Sequence, residues 1–254
     1  MANGRIITVF AAKGGCGKTT LATNLAAVLH DGGTHRVCLL DLDLEFGDAA
    51  GALGLRPRRS LVDALELADS LDPATVSSLM TPYLPGLDCL SAPTRPGEAG
   101  LIPASLVSRL LFVLPLDYDF VVVDTPARLG SHVLAALDAA DHQILVTTAE
   151  RPALNNLRTL LDILDLLPYD RAARSIVVNR SDAGTRLPDQ VFDDLVRNPI
   201  AGHLPSWDDV PASVNRGEPL AAAHPEHAVS QAIRQLAAAL LPSDGRCGRD
   251  PPPG

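Results

Sequence analysis

The chain has 254 residues, of which 46% are hydrophobic and only 4% aromatic, and its formal net charge is −9. This length allows one substantial core built on aliphatic side chains, and the acidic balance argues against a protein that coats nucleic acid. Four scattered cysteines without a C-x-x-C pair argue against a disulfide framework and a zinc site. No run reaches the roughly 18 apolar residues of a membrane span, and no leader-like segment opens the chain. We therefore expect a cytoplasmic protein.

Short apolar runs alternate with Ala- and Leu-rich segments along the chain. Most runs are continuous, which is typical of strands buried on both faces of a parallel sheet. The predicted strands are 5–10, 36–42, 87–92, 120–125, 143–148, 175–180 and 201–205, and the predicted helices are 19–30, 61–80, 132–140, 155–167 and 227–242. The alternation predicts an α/β fold: a doubly wound, mainly parallel sheet of about seven strands flanked by helices.

The chain shows no internal repeat and no linker, so we predict one domain over residues 1–242. The segment 243–254, SDGRCGRDPPPG, is polar and rich in Pro and Gly, and we predict a disordered tail there. The helix 227–242 carries one apolar stripe at helical spacing. Because Arg234 is its only arginine or lysine, packing against the core is favoured over binding to a membrane surface.

The first strand runs into the loop AAKGGCGKTT, which deviates from the strict phosphate-loop pattern G-x-x-x-x-G-K-[S/T]. Ala12 holds the position of the first glycine of that pattern, and an additional lysine, Lys13, lies inside the loop. The order of strand, glycine-rich turn, Lys-Thr and helix is nonetheless the context that a phosphate site needs. We interpret the loop as a nucleotide site of a different kind rather than a damaged one.

Each part of this loop has a chemical reason to bind phosphate. Gly14, Gly15 and Gly17 permit unusual backbone angles and a close approach of the amide groups. Those N–H groups and the N-terminus of the following helix form an anion site. Lys18 can reach the β- and γ-phosphates, and the Thr19 hydroxyl can bind Mg²⁺. The alternative is a chance glycine turn without a ligand.

Carboxylates follow two of the predicted strands. Strand 36–42 ends in the sequence DLD, which contains Asp41 and Asp43, and the run FVVVDT contains Asp124. An apolar run that ends in Asp, downstream of a phosphate loop, is typical of the aspartate that holds Mg²⁺ directly or through water. The alternative for Asp41 and Asp43 is that they cap the next helix.

The octet KGGCGKTT resembles the deviant phosphate loop of the ParA/MinD-type ATPases, whose members often lack the first glycine. The resemblance extends from Arg5 to about Leu241, because the later motifs follow in the family's order. It implies a P-loop ATPase, slow without a partner, in which two subunits sandwich two ATP molecules with Mg²⁺. By that resemblance Lys13 is the signature lysine that reaches the partner's phosphates, and Asp43 positions the attacking water.

The resemblance also assigns roles elsewhere in the chain. Asn179 matches the family's adenine-reading asparagine, whose amide can donate and accept hydrogen bonds. The segment 204–225 resembles a late loop that flanks the base and the dimer interface. The implied catalytic residues are Lys13, Lys18 and Asp43; the implied metal-binding residues are Thr19, Asp41 and Asp124; and the implied nucleotide-binding residues are Lys13, Gly14, Gly15, Cys16, Gly17, Lys18, Thr19, Thr20, Asn179, Arg180 and Pro205.

Local sequences favour one branch of the family. Cys16, the segment DLDLEFGDAAGALGL and the segment LSAPTRPGEAGLI are similar to the CpaE/TadZ branch, which places Flp-type pilus or secretion machinery in the cell. That resemblance implies an ATP-dependent homodimer with a protein partner, recruited to a cell pole or a membrane-associated complex. Most members of the branch carry an N-terminal receiver-like domain, and we expect none here because the first strand starts near Arg5.

Other functions stay as alternatives. A DNA-partitioning protein of the ParA type would use surface arginines, and the scattered candidates are Arg174, Arg180, Arg186 and Arg216. The net charge of −9 disfavours a strong phosphate-driven footprint on DNA. A MinD-like membrane contact needs a basic C-terminal helix, so we expect no direct membrane insertion. A scaffold that binds ATP but hydrolyses little is a further alternative.

Two rival enzyme classes share this phosphate loop or fold but need features that the sequence does not favour. An iron-protein reductase needs cysteines that bridge a cluster, whereas Cys38 and Cys89 lie in predicted buried strands. A bacterial tyrosine kinase carries a tyrosine-rich tail, whereas the tyrosines here are Tyr83, Tyr118 and Tyr169. Both rivals therefore rank below the ATPase switch.

Overall fold

The computed structural model describes residues 4–182, 196, 198–206 and 208–241, so the predicted tail at 243–254 lies outside the described residues. Within them, eight strands form one sheet in the order β3-β4-β2-β5-β1-β6-β7-β8. Neighbouring strands are parallel except β3 and β4. The strands are β1 Arg5–Phe10, β2 Val37–Asp41, β3 Thr81–Leu84, β4 Leu87–Leu90, β5 Phe120–Asp124, β6 His142–Thr148, β7 Arg174–Asn179 and β8 Ile200–Leu204.

Helices cover both faces of this sheet. They are α1 Lys18–His30, α2 Ala49–Ala52, α3 Pro73–Ser77, α4 Ala104–Val113, α5 Ser131–Ala139, α6 Arg151–Leu164, α7 Asp209–Arg216, α8 Leu220–Ala223 and α9 Ala228–Leu240. Helices α1 and α9 pack on the face that presents Ile7 and Val9. Helices α4, α5 and α6 pack on the opposite face, against residues that include Ile6 and Phe10. The doubly wound prediction is therefore confirmed.

The continuous apolar runs form the centre of the sheet. Every residue of β2 and of β5 is buried, because helices cover these strands from both sides. Helix α9 buries the apolar stripe that the sequence predicted, and it packs against α1 and β8. None of the helices in the described ranges combines the length and apolar character that a bilayer span requires.

The sequence missed the edge strand β3. Its residues alternate between half-buried and exposed, and Pro82 interrupts the run TPYL. Such a short strand lacks the continuous apolar signal of the central strands. Proline is tolerated there because β3 lies at the edge, where a missing N–H donor breaks no inner ladder.

The predicted helix 61–80 was wrong. Two short 3₁₀ turns, Leu61–Leu65 and Ala68–Ser70, and the five-residue helix α3 occupy this segment. Ser60 and Asp72 each begin a turn with a capping box, and Pro73 starts α3. These local side chain–backbone hydrogen bonds start a new turn at each of the two positions, so the segment does not continue as one helix. The apolar residues still reach the core, with Leu61, Leu79 and Val76 buried.

The topology brings the ends of several strands together at one edge of the sheet. The carboxyl ends of β1, β2 and β5 lie side by side, and the glycine-rich loop leaves β1 there. In open α/β sheets this is the edge where ligands bind. The candidate site is therefore built from the loops that follow these strands.

Candidate functional site

The phosphate loop connects β1 to α1, and two of its glycines adopt left-handed backbone angles. Gly15 has φ +75° and Gly17 has φ +92°, which favours glycine over any other residue. Gly17 is the N-cap of α1, and no described side chain caps this helix. The first amide groups of α1 therefore stay open toward the loop, which is the arrangement of an anion site.

Lys18 and Thr19 begin α1 directly behind this loop. The side chain of Lys18 is buried, with only 8% of the residue exposed. The Thr19 hydroxyl donates a hydrogen bond of 2.6 Å to Asp124 Oδ2, which joins α1 to the end of β5. Lys18 and Thr19 are neighbours in the chain, whereas Asp124 lies 105 residues beyond Thr19. The structure thus brings the lysine, the hydroxyl and this distant carboxylate together.

Two buried carboxylates lie on neighbouring strands beside the loop. Asp41, the last residue of β2, is in register with Asp124, the last residue of β5. Burial raises the pKa of Asp41 well above its ordinary value, and the charge of Asp124 raises it further. Burial also raises the pKa of Asp124 to about 6, although the Thr19 hydroxyl and the Lys18 charge oppose that shift. Two anions in a dry site are costly unless a cation compensates them.

The donor set around Asp124 fits Mg²⁺. Asp124 Oδ1 is buried and has no hydrogen-bond partner within the described residues, and the Thr19 hydroxyl supplies a second oxygen. Mg²⁺ prefers oxygen ligands and is commonly held by one or two carboxylates together with nucleotide phosphates and water. In the described ranges, no group of three or more His, Cys, Asp or Glu side chains could hold a metal by itself.

Asp43 and Asp41 differ in their contacts. Asp43 is half-buried in the loop before α2, and its Oδ1 accepts a hydrogen bond of 3.3 Å from the N–H of Phe46. Both oxygens of Asp41 accept backbone hydrogen bonds of 3.0 Å, Oδ1 from Asp43 and Oδ2 from Ala49. The structure therefore brings Asp41 to the site, but it engages both carboxylate oxygens with a loop rather than leaving one open as in Asp124.

Lys13 forms an ion pair that the sequence did not predict. Its Nζ lies 3.1 Å from Glu150 Oε2, and the two side chains are 39% and 47% exposed. Glu150 follows β6 and is the N-cap residue of α6, so no motif near the phosphate loop pointed to it. Exposed ion pairs are worth about 0.2–1 kcal/mol. The ammonium of Lys13 can therefore leave Glu150 at little cost.

Asn179 contacts the phosphate loop directly. Its Nδ2 donates to the carbonyl of Cys16 at 2.9 Å, and its Oδ1 accepts from the N–H of Arg180 at 3.0 Å. A Cβ atom at Gly17 would lie against this amide group, so any other residue there would displace the Asn179 side chain, and the φ of +92° itself favours glycine. An asparagine side chain has two N–H donors and two acceptor lone pairs. One of each remains, which leaves Asn179 able to bond a second group.

A cavity of about 660 Å³ adjoins the loop on the side of Asn179. It has the size of a small-molecule site. Polar and apolar groups both line it, among them Gly17, Thr20, Asn179, Arg180, Pro205 and Asn215. The three residues that the sequence selected at the ends of β7 and β8, namely Asn179, Arg180 and Pro205, thus share one cavity with the phosphate loop.

The structure corrects two expectations from the sequence, one about the segment 204–225 and one about the arginines considered for DNA. The segment 204–225 is not a single loop, because it contains α7 and α8. Gly217, the C-cap of α7, has φ +70° and packs so closely on Gly54 that a side chain would collide with that residue's backbone. Among the arginines considered for DNA, Arg174 has a fully buried side chain paired with Asp165, and Arg186 lies outside the described residues.

The cysteines in the described residues are free thiols in buried positions. Cys16, Cys38 and Cys89 are all buried, and burial raises the pKa of each thiol. Cys38 and Cys89 belong to different core clusters, on opposite faces of the sheet. A surface cluster bridged by these two thiols, as an iron-protein reductase requires, is therefore excluded.

Comparison with known proteins agrees with this geometry. Residues 7–220 match the family model described as the CobQ/CobB/MinD/ParA nucleotide binding domain. The chain belongs to this family. It is a ParA/MinD-type ATPase that uses ATP with Mg²⁺.

Individual proteins show the same relationship. The septum site-determining protein MinD of Synechocystis sp. is 31% identical, over 85% of this chain and 81% of its own length. The sporulation initiation inhibitor protein Soj of Bacillus subtilis is also 31% identical, over 76% of this chain and 79% of its own. The crystal structure of a ParA family ATPase from Chlorobium tepidum superposes with a TM-score of 0.86 at 25% identity, and covers 92% of this chain and 98% of that one.

Proposed function

We propose that this ATPase is an ATP-dependent dimerising switch whose cargo is Flp-type pilus or secretion machinery. The observation that carries the switch is the placement of Lys13. Its ammonium is half-exposed at the ligand-binding edge of the sheet and is held by an exposed carboxylate, Glu150. A triphosphate carries more negative charge than this carboxylate, so ATP bound to a second subunit could take the lysine over.

Each residue of the site has a separate task in this proposal. The amides of Gly14 and Gly15, with Lys18, bind the phosphates. Thr19 and Asp124 would hold Mg²⁺, which would supply positive charge beside the phosphates. Asp43 orients the attacking water. The adenine base occupies the cavity beside the loop. The residues assigned to bind it are Cys16, Gly17, Thr20, Asn179, Arg180 and Pro205.

The cargo assignment is supported by sequence alone. Cys16 and the segments 39–55 and 90–102 are similar to the CpaE/TadZ branch. The relatives are named for septum siting and for inhibition of sporulation, so their names do not indicate one cargo. A fluorescent fusion of this chain is expected to form a focus at a defined cell site. Loss of that focus on deletion of the pilus or secretion machinery would identify the cargo.

The role of Lys13 can be tested by light scattering of the full chain with ATP and Mg²⁺. We expect the wild type to dimerise, Lys13→Ala to remain monomeric, and the matched control Glu150→Gln to dimerise at least as well, because it frees the lysine. ATP binding to the Lys13→Ala monomer should persist, since its own phosphate loop is intact. An undiminished Lys13→Ala dimer would refute the role in trans.

A DNA-binding function is the second candidate, and one surface feature favours it. Arg56, Arg58 and Arg59 are exposed, form no ion pair within the described ranges, and line a cavity of about 440 Å³. A DNA function predicts ATP-dependent, salt-sensitive gel shifts of arbitrary duplex that disappear when these three arginines are replaced by alanine. The pilus proposal predicts no gel shift in the presence or absence of ATP.

The remaining candidate is a scaffold that binds ATP but hydrolyses little. Release of phosphate by the full chain distinguishes it from a switch, because a switch must return to its monomeric state. We expect slow turnover that Asp43→Ala abolishes. Turnover that Asp43→Ala leaves undiminished would remove Asp43 from its proposed task.

A further inference from the structure

We infer that Asp41 is a positioning residue that ties together the two ends of the loop between β2 and α2, and thereby sets the place of Asp43. The inference rests on the proposed role of Asp43 in orienting water. Asp41 Oδ1 accepts the N–H of Asp43, where the loop begins, and Oδ2 accepts the N–H of Ala49, where it ends, each at 3.0 Å. One carboxylate thus closes residues 43–49 into a ring.

Leu44 anchors the first part of this loop in the core, and the N–H of Phe46 donates a hydrogen bond to Asp43 Oδ1, but the rest of the loop has few contacts. Residues 45–48 are exposed, and Phe46 at its tip is 78% exposed. Segments with few buried contacts open at low free energy. If the Asp41 carboxyl group moves, the N–H groups of Asp43 and Ala49 both lose their acceptor, and a buried N–H group without a partner is unfavourable. The two bonds to Asp41 are therefore well placed to decide the conformation of this loop.

Gly47 shows that the tie requires close packing. A Cβ atom at this position would lie 2.6 Å from Asp41 Oδ2 and 2.8 Å from the carbonyl oxygen of Asp43, and it would also collide with the side chain of Ala92. Glycine is thus needed here to leave room for the carboxylate, not for a left-handed φ. Replacement of Gly47 would displace the tie without removing any charge from the site.

The tie separates the tasks of the two buried aspartates. Asp124 keeps one oxygen without a partner in the described part of the chain, whereas both oxygens of Asp41 are occupied by backbone N–H groups. Asp124 is therefore the carboxylate available to Mg²⁺. Asp41 acts on the reaction through the placement of Asp43.

The test uses the full chain and compares Asp41→Asn, Gly47→Ala and the control Gly51→Ala. A Cβ atom at Gly51, in the adjacent α2, meets no heavy atom within 4 Å apart from its chain neighbours and the backbone of its own helix. Asparagine at 41 retains one acceptor oxygen, so it can keep one tie at most. In the nucleotide-free chain we expect the exchange of the Asp43 or Ala49 amide hydrogen to accelerate about 2- to 10-fold in the first two variants, because a hydrogen bond to the Asp41 carboxyl group is lost. Gly51→Ala should exchange like the wild type.

Turnover then separates positioning from metal binding. Both Asp41→Asn and Gly47→Ala should lower kcat by roughly 100-fold, the cost of a misplaced reacting group, while the affinity for Mg²⁺-ADP stays unchanged. Thermal unfolding shows whether each variant is folded. If Asp41→Asn does not fold, the comparison of Gly47→Ala with Gly51→Ala still tests the inference.

Two results would overturn the inference. Unchanged amide exchange in both variants would show that the tie does not hold the loop, and weaker Mg²⁺ binding in Asp41→Asn alone would make Asp41 a metal ligand. Failure of the proposed function looks different: Asp43→Ala would then hydrolyse ATP normally, while accelerated exchange in the two tie variants would still be observed.

Discussion

The two edges of the sheet arrange buried charge in opposite ways. At the carboxyl edge, Asp41 and Asp124 are like charges in register on neighbouring strands. At the amino edge, the fully buried Arg174 side chain at the start of β7 lies 3.0 Å from Asp165, which also bonds Arg171 at 2.7 Å. At the amino edge, the attraction between opposite charges offsets part of the cost of burying Arg174, whereas the like charges at the carboxyl edge add to the cost of burial unless a cation compensates them. Removing a charge should therefore have opposite effects on stability at the two edges.

The pKa shifts record the same contrast. The hydrogen bond from Arg174, with the charge of Arg171, holds the pKa of Asp165 below its ordinary value. Burial and mutual repulsion hold the pKa of Asp41 above its ordinary value, and burial raises that of Asp124. Groups whose pKa is raised by burial beside like charges are common where proteins bind ligands or perform chemistry. Changes at each edge should therefore differ in sign and in the property that they alter.

The largest expected effect is on nucleotide binding at the carboxyl edge. Lys18→Ala should weaken the affinity for Mg²⁺-ATP about 10- to 150-fold, because hydrogen bonds to charged groups contribute roughly 1.5–3 kcal/mol. Isothermal titration calorimetry measures this directly. Arg171→Ala at the amino edge is the control and should bind ATP like the wild type. Equal affinities for Lys18→Ala and the wild type would remove the phosphate-loop assignment.

An intermediate effect is expected on stability from the like charges. Asp124→Asn should raise the free energy of unfolding of the metal-free chain by about 1–2 kcal/mol, because it relieves repulsion in a buried pair. That corresponds to roughly 2–8 °C in Tm. Urea unfolding with a chelator measures the change, and added Mg²⁺-ADP should stabilise the variant less than the wild type. A destabilised variant would contradict the contrast between the two edges.

The smallest effect is expected at the amino edge, where solvent reaches Asp165. Because its folded pKa is lowered, its ion pairs stabilise the fold fully above its ordinary value near 4, and this contribution is lost as the pH falls through the lowered pKa. Asp165→Asn should therefore lower Tm at pH 7 and flatten the acid dependence of Tm below about pH 4. Thermal melting curves of the variant and the wild type, recorded from pH 7 to below pH 4, measure both effects. ATP affinity should not change, and identical pH dependence in variant and wild type would refute the assignment.

The sequence predicted the elements whose signals are local. The run FVVVD became β5, and the glycines before Lys18 became a loop with left-handed angles at Gly15 and Gly17. The 61–80 segment failed because Ser60 and Asp72 start new turns within an apolar pattern that looked continuous. The strand β3 was missed because an edge strand need not be buried on both faces.

Contacts between distant segments were beyond the sequence. Nothing near Lys13 pointed to Glu150, and nothing in the DLD sequence distinguished Asp41 from Asp43 by the partners of its oxygens. Gly47 looked like an ordinary loop glycine until the space beside Asp41 was known.

By itself the sequence determined a nucleotide-binding α/β domain and the residues able to touch phosphate, because backbone angles, strand burial and helix starts depend on neighbours along the chain. The tertiary structure decided which of these residues are free. Asp124 keeps an open oxygen, Asp41 is tied to a loop, and Lys13 is paired at the surface. Availability depends on what packs against each group, and that is settled only when segments far apart in the chain meet.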